Sequence, residues 1–185
     1  MPYTGHIHRP PTMGIPPVDA QTTYFDADTL SFGVEYRLLT DDIYEANFKR
    51  QRVDEHTGKK PTNLLDDRGV SIHVFGSELG HKMEVLRFDC FDGDAHYHYI
   101  QPSGEYQEIL HMDTFADGDP LAWALERLRT RLPQMLARAG ATKLAQRVNF
   151  GAVDAALPKV ADAAYRARFH RPDSKKVLAD ALKAA

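Results

Sequence analysis

From Leu30 to Leu38 apolar and polar side chains alternate without a break, with Leu30, Phe32, Val34, Tyr36 and Leu38 on one side and Ser31, Gly33, Glu35 and Arg37 on the other. That period of two predicts a half-buried β-strand. The clearest stretch is Met83 to Ile100, where two strand-forming runs flank the turn Asp92-Gly93-Asp94-Ala95, the pattern of a β-hairpin. Pairing Phe91 with His96 sets Asp89 opposite His98. It puts Arg87, Asp89, Phe91, His96, His98 and Ile100 on one face and Leu86, Phe88, Cys90, Tyr97 and Tyr99 on the other. A slip of one residue would scatter the Asp–His–His group. Val70–Phe75 and Glu105–Met112 read as further strands, separated by turns that hold Gly76, Gly80 and Gly104. Short links of this kind make an antiparallel meander, and with the Leu30 strand the sheet spans residues 30–113 in about five strands.

The period changes after Asp117. Asp119 can cap and Pro120 can take the first position of a long helix, in which Leu121, Leu125, Leu128 and Leu132 form one apolar stripe. Pro133 should kink that helix and Gly140 should stop it. Further helices are expected over about 141–148, 158–169 and 174–183, so the helical part covers about 119–184. Between the first two strands, Thr40 and Asp41 offer caps for a short helix through Ala46, and residues 47–54 read as polar strand or loop. The turn Glu55–Pro61 contains Gly58-Lys59-Lys60 but lacks the spacing of a phosphate loop.

Residues 1–28 hold five of the eleven prolines and no apolar period, which predicts an extended arm without a ladder ahead of a single domain over 29–185. The arm carries large apolar side chains, among them Ile7, Ile15, Tyr24 and Phe25, so it should lie on a partner chain or on a groove of its own domain. His6 and His8 form a His-x-His pair without a rigid frame.

Composition fits an ordinary globular chain: 185 residues, 43% hydrophobic, 26% charged. The one cysteine, Cys90, excludes an internal disulfide framework and reads as a packed core thiol. No run approaches the roughly 18 apolar residues of a membrane span, and the first residues do not resemble a secretory signal, so no membrane partner is expected and the expected location is the cytoplasm. Charge is unevenly placed, with 21 acidic and 10 basic side chains in residues 1–119 against 5 and 13 in residues 120–185. A basic helical part on an acidic sheet is satisfied within the fold. Without interleaved aromatics, Arg127, Arg129 and Arg131 read as a solvated face rather than a nucleic-acid surface. Trp123 reads as a core anchor.

His96 and His98 carry the sharpest chemistry. Alternate residues of a strand point the same way, about 6–7 Å apart, so two imidazoles can converge on one cation. Asp89 supplies a carboxylate, with Glu108 or His111 of the next strand as further ligands and His73 as a more remote one. Two histidines and a carboxylate suit one divalent transition metal, Fe, Mn or Zn, with positions open to substrate. Tyr106 or Gln107 could hold the outer ring nitrogens. Metal-free acid–base work by Asp89 and a histidine, or plain structural hydrogen bonding, uses the same residues.

The string Arg87-Phe88-Asp89-Cys90-Phe91 followed by His96-Tyr97-His98-Tyr99 is similar to small bacterial domains of unknown function, in which a hydrophobic-Arg-aromatic-Asp strand precedes a His-x-His strand. The resemblance covers residues 86–99 and implies no activity. Cupin barrels share only the His-x-His: here the next glutamate, Glu105, stands seven residues after His98 and no second motif follows.

The sequence therefore predicts an α+β fold, an antiparallel meander packed against C-terminal helices with an extended N-terminal arm. For function it favours a small cytoplasmic accessory or assembly subunit. Such a subunit would bind a protein partner, or a second copy of itself, through Ile7, Ile15, Tyr24 and Phe25. The rival is a metal-dependent enzyme built on His96, His98, Asp89 and Glu108.

Overall fold

The computed structural model describes residues 7–8, as backbone, and residues 14–53 and 58–185. Its centre is one antiparallel sheet. β1 (Ile7–His8), β2 (Thr23–Ala27), β3 (Leu30–Thr40), β4 (Asp66–Ser77), β5 (Lys82–Phe91), β6 (His96–Ile100) and β7 (Gln107–His111) lie in the order β1-β7-β6-β5-β4-β3-β2. β3 to β7 thus form the meander that the alternating pattern predicts, β2 adds a strand at one edge, and β1 closes the other through Ile7 opposite Leu110. The helices are α1 (Asp41–Phe48), α2 (Thr114–Asp117), α3 (Pro120–Thr130), α4 (Leu132–Arg138), α5 (Thr142–Gln146), α6 (Phe150–Phe169) and α7 (Ser174–Ala184). The fold is α+β, with most of the helix after the sheet.

One face of the sheet is the apolar core. Phe32, Val34, Val70, Ile72, Leu86 and Phe88 meet Leu121, Leu128, Leu136, Val153 and Val160 from the helices, all buried. Asp119 caps α3 through the Ala122 amide with Pro120 in its first turn, and the chain breaks between α3 and α4 just before Pro133, which has no amide hydrogen to continue the ladder. α6 starts at Phe150, earlier than the expected start, behind an Asn149 side chain that accepts from the Ala152 amide, and runs through Pro158; it packs on β2, β3 and β4.

The arm differs most from expectation. Only part of residues 1–28 lacks a ladder: Thr23–Ala27 pairs with β3 residue for residue, Tyr24 facing Gly33 and Phe25 facing Phe32. The preceding residues, Gly14 to Val18, run over the second, polar face of the sheet, where Arg37 donates to the Ile15 carbonyl at 3.0 Å and the Val18 amide donates to Glu35 at 3.0 Å. β3 is therefore buried on both faces rather than half-buried. Ile15 and Phe25 pack on the core of their own chain, while Tyr24 is 41% exposed. The side chain of Ile7, the side chains of the His6–His8 pair and residues 55–57 of the Glu55–Pro61 turn lie outside the described residues.

Candidate metal centre

The hairpin forms in a different register from the one expected. Asp89 pairs with His96 and Arg87 with His98, two residues away from the pairing of Phe91 with His96. A shift of two conserves the faces, since side chains repeat every two residues. Asp89, His96 and His98 therefore stay together, on the face opposite Phe88, Tyr97 and Tyr99. The turn is fixed from outside the hairpin: Asp67 of β4 accepts the Gly93 and Asp94 amides, both at 2.8 Å.

Nε2 of His98 lies 3.0 Å and Nε2 of His96 3.4 Å from the same atom, Oδ2 of Asp89. One ligand atom from each of the three residues lies within 4.8 Å of the others. A metal bound at about 2.0–2.2 Å holds neighbouring ligand atoms about 3–3.5 Å apart, so these spacings serve a cation as well as hydrogen bonds. The outer nitrogens are held too, His98 Nδ1 by Gln107 Oε1 at 2.8 Å and His96 Nδ1 by the Asp94 carbonyl at 2.7 Å. This is the second shell that orients metal-ligating histidines. Ser71 donates to the other Asp89 oxygen, Oδ1. Asp89 and His98 are buried, and His96 keeps 11% of its side chain exposed.

Four imidazole nitrogens thus face three oxygens, Asp89 Oδ2 being shared by both Nε2 atoms. The Asp94 carbonyl only accepts, so His96 Nδ1 carries a proton. Burial acts against a charged His96, but the hydrogen bond and charge of Asp89, with Asp94, outweigh it and raise its pKa. His98 goes the other way: burial pulls it down to about 4 against the pull of Asp89, so it is neutral at pH 7. With the Nδ1 protons given to the Asp94 carbonyl and to Gln107 Oε1, the Nε2 lone pairs of two neutral rings face Asp89 Oδ2, and a cation between them completes the set, releasing any Nε2 proton of His96 as it binds. Burial also opposes ionisation of Asp89, but the hydrogen bonds from His96 and His98 and the Arg87 charge hold its carboxyl well below the ordinary value.

Toward solvent, His96 pairs with His111 of β7. His111 Nδ1 is 2.8 Å from Asp94 Oδ1, and Asp94, His96 and His111 form a second, more exposed group of metal-capable side chains. Inward, a buried ion network continues the site. His73 lies between Glu84 Oε1 at 2.6 Å and Glu35 Oε1 at 3.2 Å, Arg87 grips both Glu84 oxygens at 2.8 and 2.6 Å, and Arg37 meets Glu35 at 3.1 Å.

A β-bulge makes this network possible. Val74 faces Leu86 but Phe75 faces Glu84, leaving Val85 as the extra residue. Strict alternation would place Glu84 with Leu86 and Phe88 on the apolar face; the bulge turns it to His73 and Arg87.

Of the four expected ligands, the fold brings together Asp89, His96 and His98. Glu108 is placed elsewhere: it pairs with Tyr99 on the helix-facing side and binds Arg138 at 2.9 Å, because β7 offers alternate residues to opposite faces and Gln107 takes the position beside His98. Glu35, Arg37, Ser71, Glu84 and Arg87 escaped the sequence reading as site residues. Their signal was there as polar pairs two residues apart in successive strands, Glu35 and Arg37, Ser71 and His73, Arg87 and Asp89, His96 and His98, one ladder of polar positions across the sheet.

Residues 24–164, from β2 into α6, match the profile of a family described as a domain of unknown function (DUF7700). The chain belongs to the DUF7700 family. The match contains Asp89, His96, His98 and His111 and the strands that place them, and leaves Gly14–Val18 and α7 outside the family region. No curated protein and no solved structure matches the chain.

Proposed function

We propose that Asp89, His96 and His98 bind one divalent transition metal, Fe, Mn or Zn, and that this DUF7700 domain is a metal-dependent enzyme working at the His111–Asp94 side of the site. The supporting observation is convergence: both Nε2 atoms aim at one carboxylate oxygen while both Nδ1 atoms are anchored elsewhere. Three protein ligands leave coordination positions for substrate and water, and such an ion supplies a Lewis acid or a water ionised near neutrality.

The chain's own groups have separate tasks. Gln107 and the Asp94 carbonyl fix the ring planes of His98 and His96, Ser71 holds the other oxygen of Asp89, and the imidazoles with the Arg87 charge keep Asp89 ionised. Asp94 holds His111 by Nδ1, and the Nε2 of His111, with no hydrogen bond to the described residues, is the group at the rim for proton transfer with substrate or water. The subunit reading has less to draw on, since Ile15 and Phe25 pack on their own core, and of the described side chains among the four expected contacts Tyr24 is the exposed one.

The test is metal content and titration with protein purified without a histidine tag. One equivalent of Zn(II), Mn(II) or Fe(II) should bind wild type, and a His96→Ala, His98→Ala double variant with a native circular dichroism spectrum should bind none. Wild type that takes up none of the three ions, or a double variant that binds as well, would overturn the assignment.

A further inference from the structure

β6 serves two sites at once, because His96 and His98 point to one face and Tyr97 and Tyr99 to the other. On the helix side, Tyr97 and Tyr99 form the floor of an open recess of about 260 Å³ walled by α3 and α4. Trp123 stands over Tyr97 with ring centroids 5.0 Å apart, and Tyr97 meets Tyr99 edge-on at 5.7 Å. Three guanidinium groups line the same space. Arg138 lies 3.9 Å over the Tyr99 ring and Arg127 4.9 Å over Trp123.

Two of these cations have acidic partners, Arg138 with Glu108 at 2.9 Å and Arg127 with Glu126 at 3.3 Å. The guanidinium of the third, Arg131, is exposed and hydrogen-bonds to none of the described residues. The recess therefore offers aromatic surface with one cation to spare. Its volume lies below the roughly 300 Å³ at which ligand pockets usually begin, room for one small ring system and too little for a dinucleotide.

We propose that this recess binds a small planar aromatic carboxylate. Its ring lies against Tyr97 and Trp123, where π-faces and stacked guanidinium groups favour a flat partner. Its carboxylate takes the planar fork of Arg131, the geometry in which arginine holds a carboxylate by two parallel hydrogen bonds. The recess is on the other face of the sheet from Asp89 and His98, so this proposal stands or falls apart from the metal reading.

Trp123 is the only tryptophan of the chain, so its emission reports the recess directly. Benzoate, benzamide and cyclohexanecarboxylate separate the two requirements, since benzamide keeps the ring without the charge and cyclohexanecarboxylate the charge without the ring. Benzoate should change Trp123 emission saturably, and calorimetry should give the same dissociation constant. The other two should bind at least about tenfold more weakly, and Arg131→Gln should weaken benzoate by about tenfold, as loss of a charge-assisted pair does. Arg131 is on the surface, so the variant should melt with wild type. The proposal is overturned if benzoate binds by neither method at 50-fold above the range expected for weak ligands, about millimolar, if either analogue binds as well, or if Arg131→Gln leaves benzoate binding unchanged.

Discussion

His98 reaches the Oδ2 of Asp89 at 3.0 Å although the two residues are not register partners, since Asp89 faces His96 and His98 faces Arg87. The contact is diagonal across the β5–β6 pair, and it brings a second imidazole to an oxygen that the facing residue already shares. Neighbouring rungs on one sheet face lie within reach of such side chains, so the pleat alone converts a His-x-His string and one aspartate into a three-donor group.

Asp89 should matter to both binding and stability. Asp89→Asn keeps the shape but removes the buried charge that His96 answers, and breaking a buried ion pair on one side costs about 3–5 kcal/mol. The variant should unfold at lower urea in the absence of metal and lose about 100-fold or more in affinity for Zn(II). Equal affinity in both proteins would exclude Asp89 as a ligand.

His73 predicts the alkaline side of the stability profile. Burial lowers its pKa, but Glu84 and Glu35 at its two nitrogens more than reverse this, while Arg87 and Arg37 pair with the same carboxylates. A folded pKa raised above the unfolded value of about 6.5 means that the imidazolium contributes fully below that pH. The contribution is lost as pH rises through the folded pKa. The urea midpoint of wild type should therefore fall with rising pH above about 6.5. His73→Gln should be less stable throughout and flatter in that window; equal slopes would assign the fall to another group.

The N-terminal segment should act as a cover for the polar face. A deletion of residues 2–17 removes the Ile15 carbonyl from Arg37 and the Gly14 backbone from beside Arg87 and Gln107. Each kcal/mol lost lowers the melting temperature of a chain this size by about 2–4 °C; a drop of at least one such step is expected, with the mass in solution unchanged. An unaltered melting temperature with an altered mass would instead mark the segment as a link between chains.

The sequence by itself determined the architecture and the grouping of Asp89 with His96 and His98. Both rest on period-two alternation, which a register error of two residues does not disturb: the hairpin pairs differently from the expected way and the faces are the same. The capped start of α3 and the break before Pro133 were equally legible, because capping side chains and a missing amide hydrogen act within a few residues. Tertiary structure decided what depends on contacts distant in the chain. Alternation places Glu84 on the wrong face until the bulge at Val74 and Phe75 turns it toward His73, and a polar strand face reads as solvated until residues 14–18 lie over it. The arginines of α3 and α4 have no aromatic neighbours in sequence beyond Trp123; Tyr97 and Tyr99 reach them only when the helices pack on β6. Local sequence fixes which way a side chain points on its own strand or helix, whereas burial and company depend on which segment the folded chain lays against it.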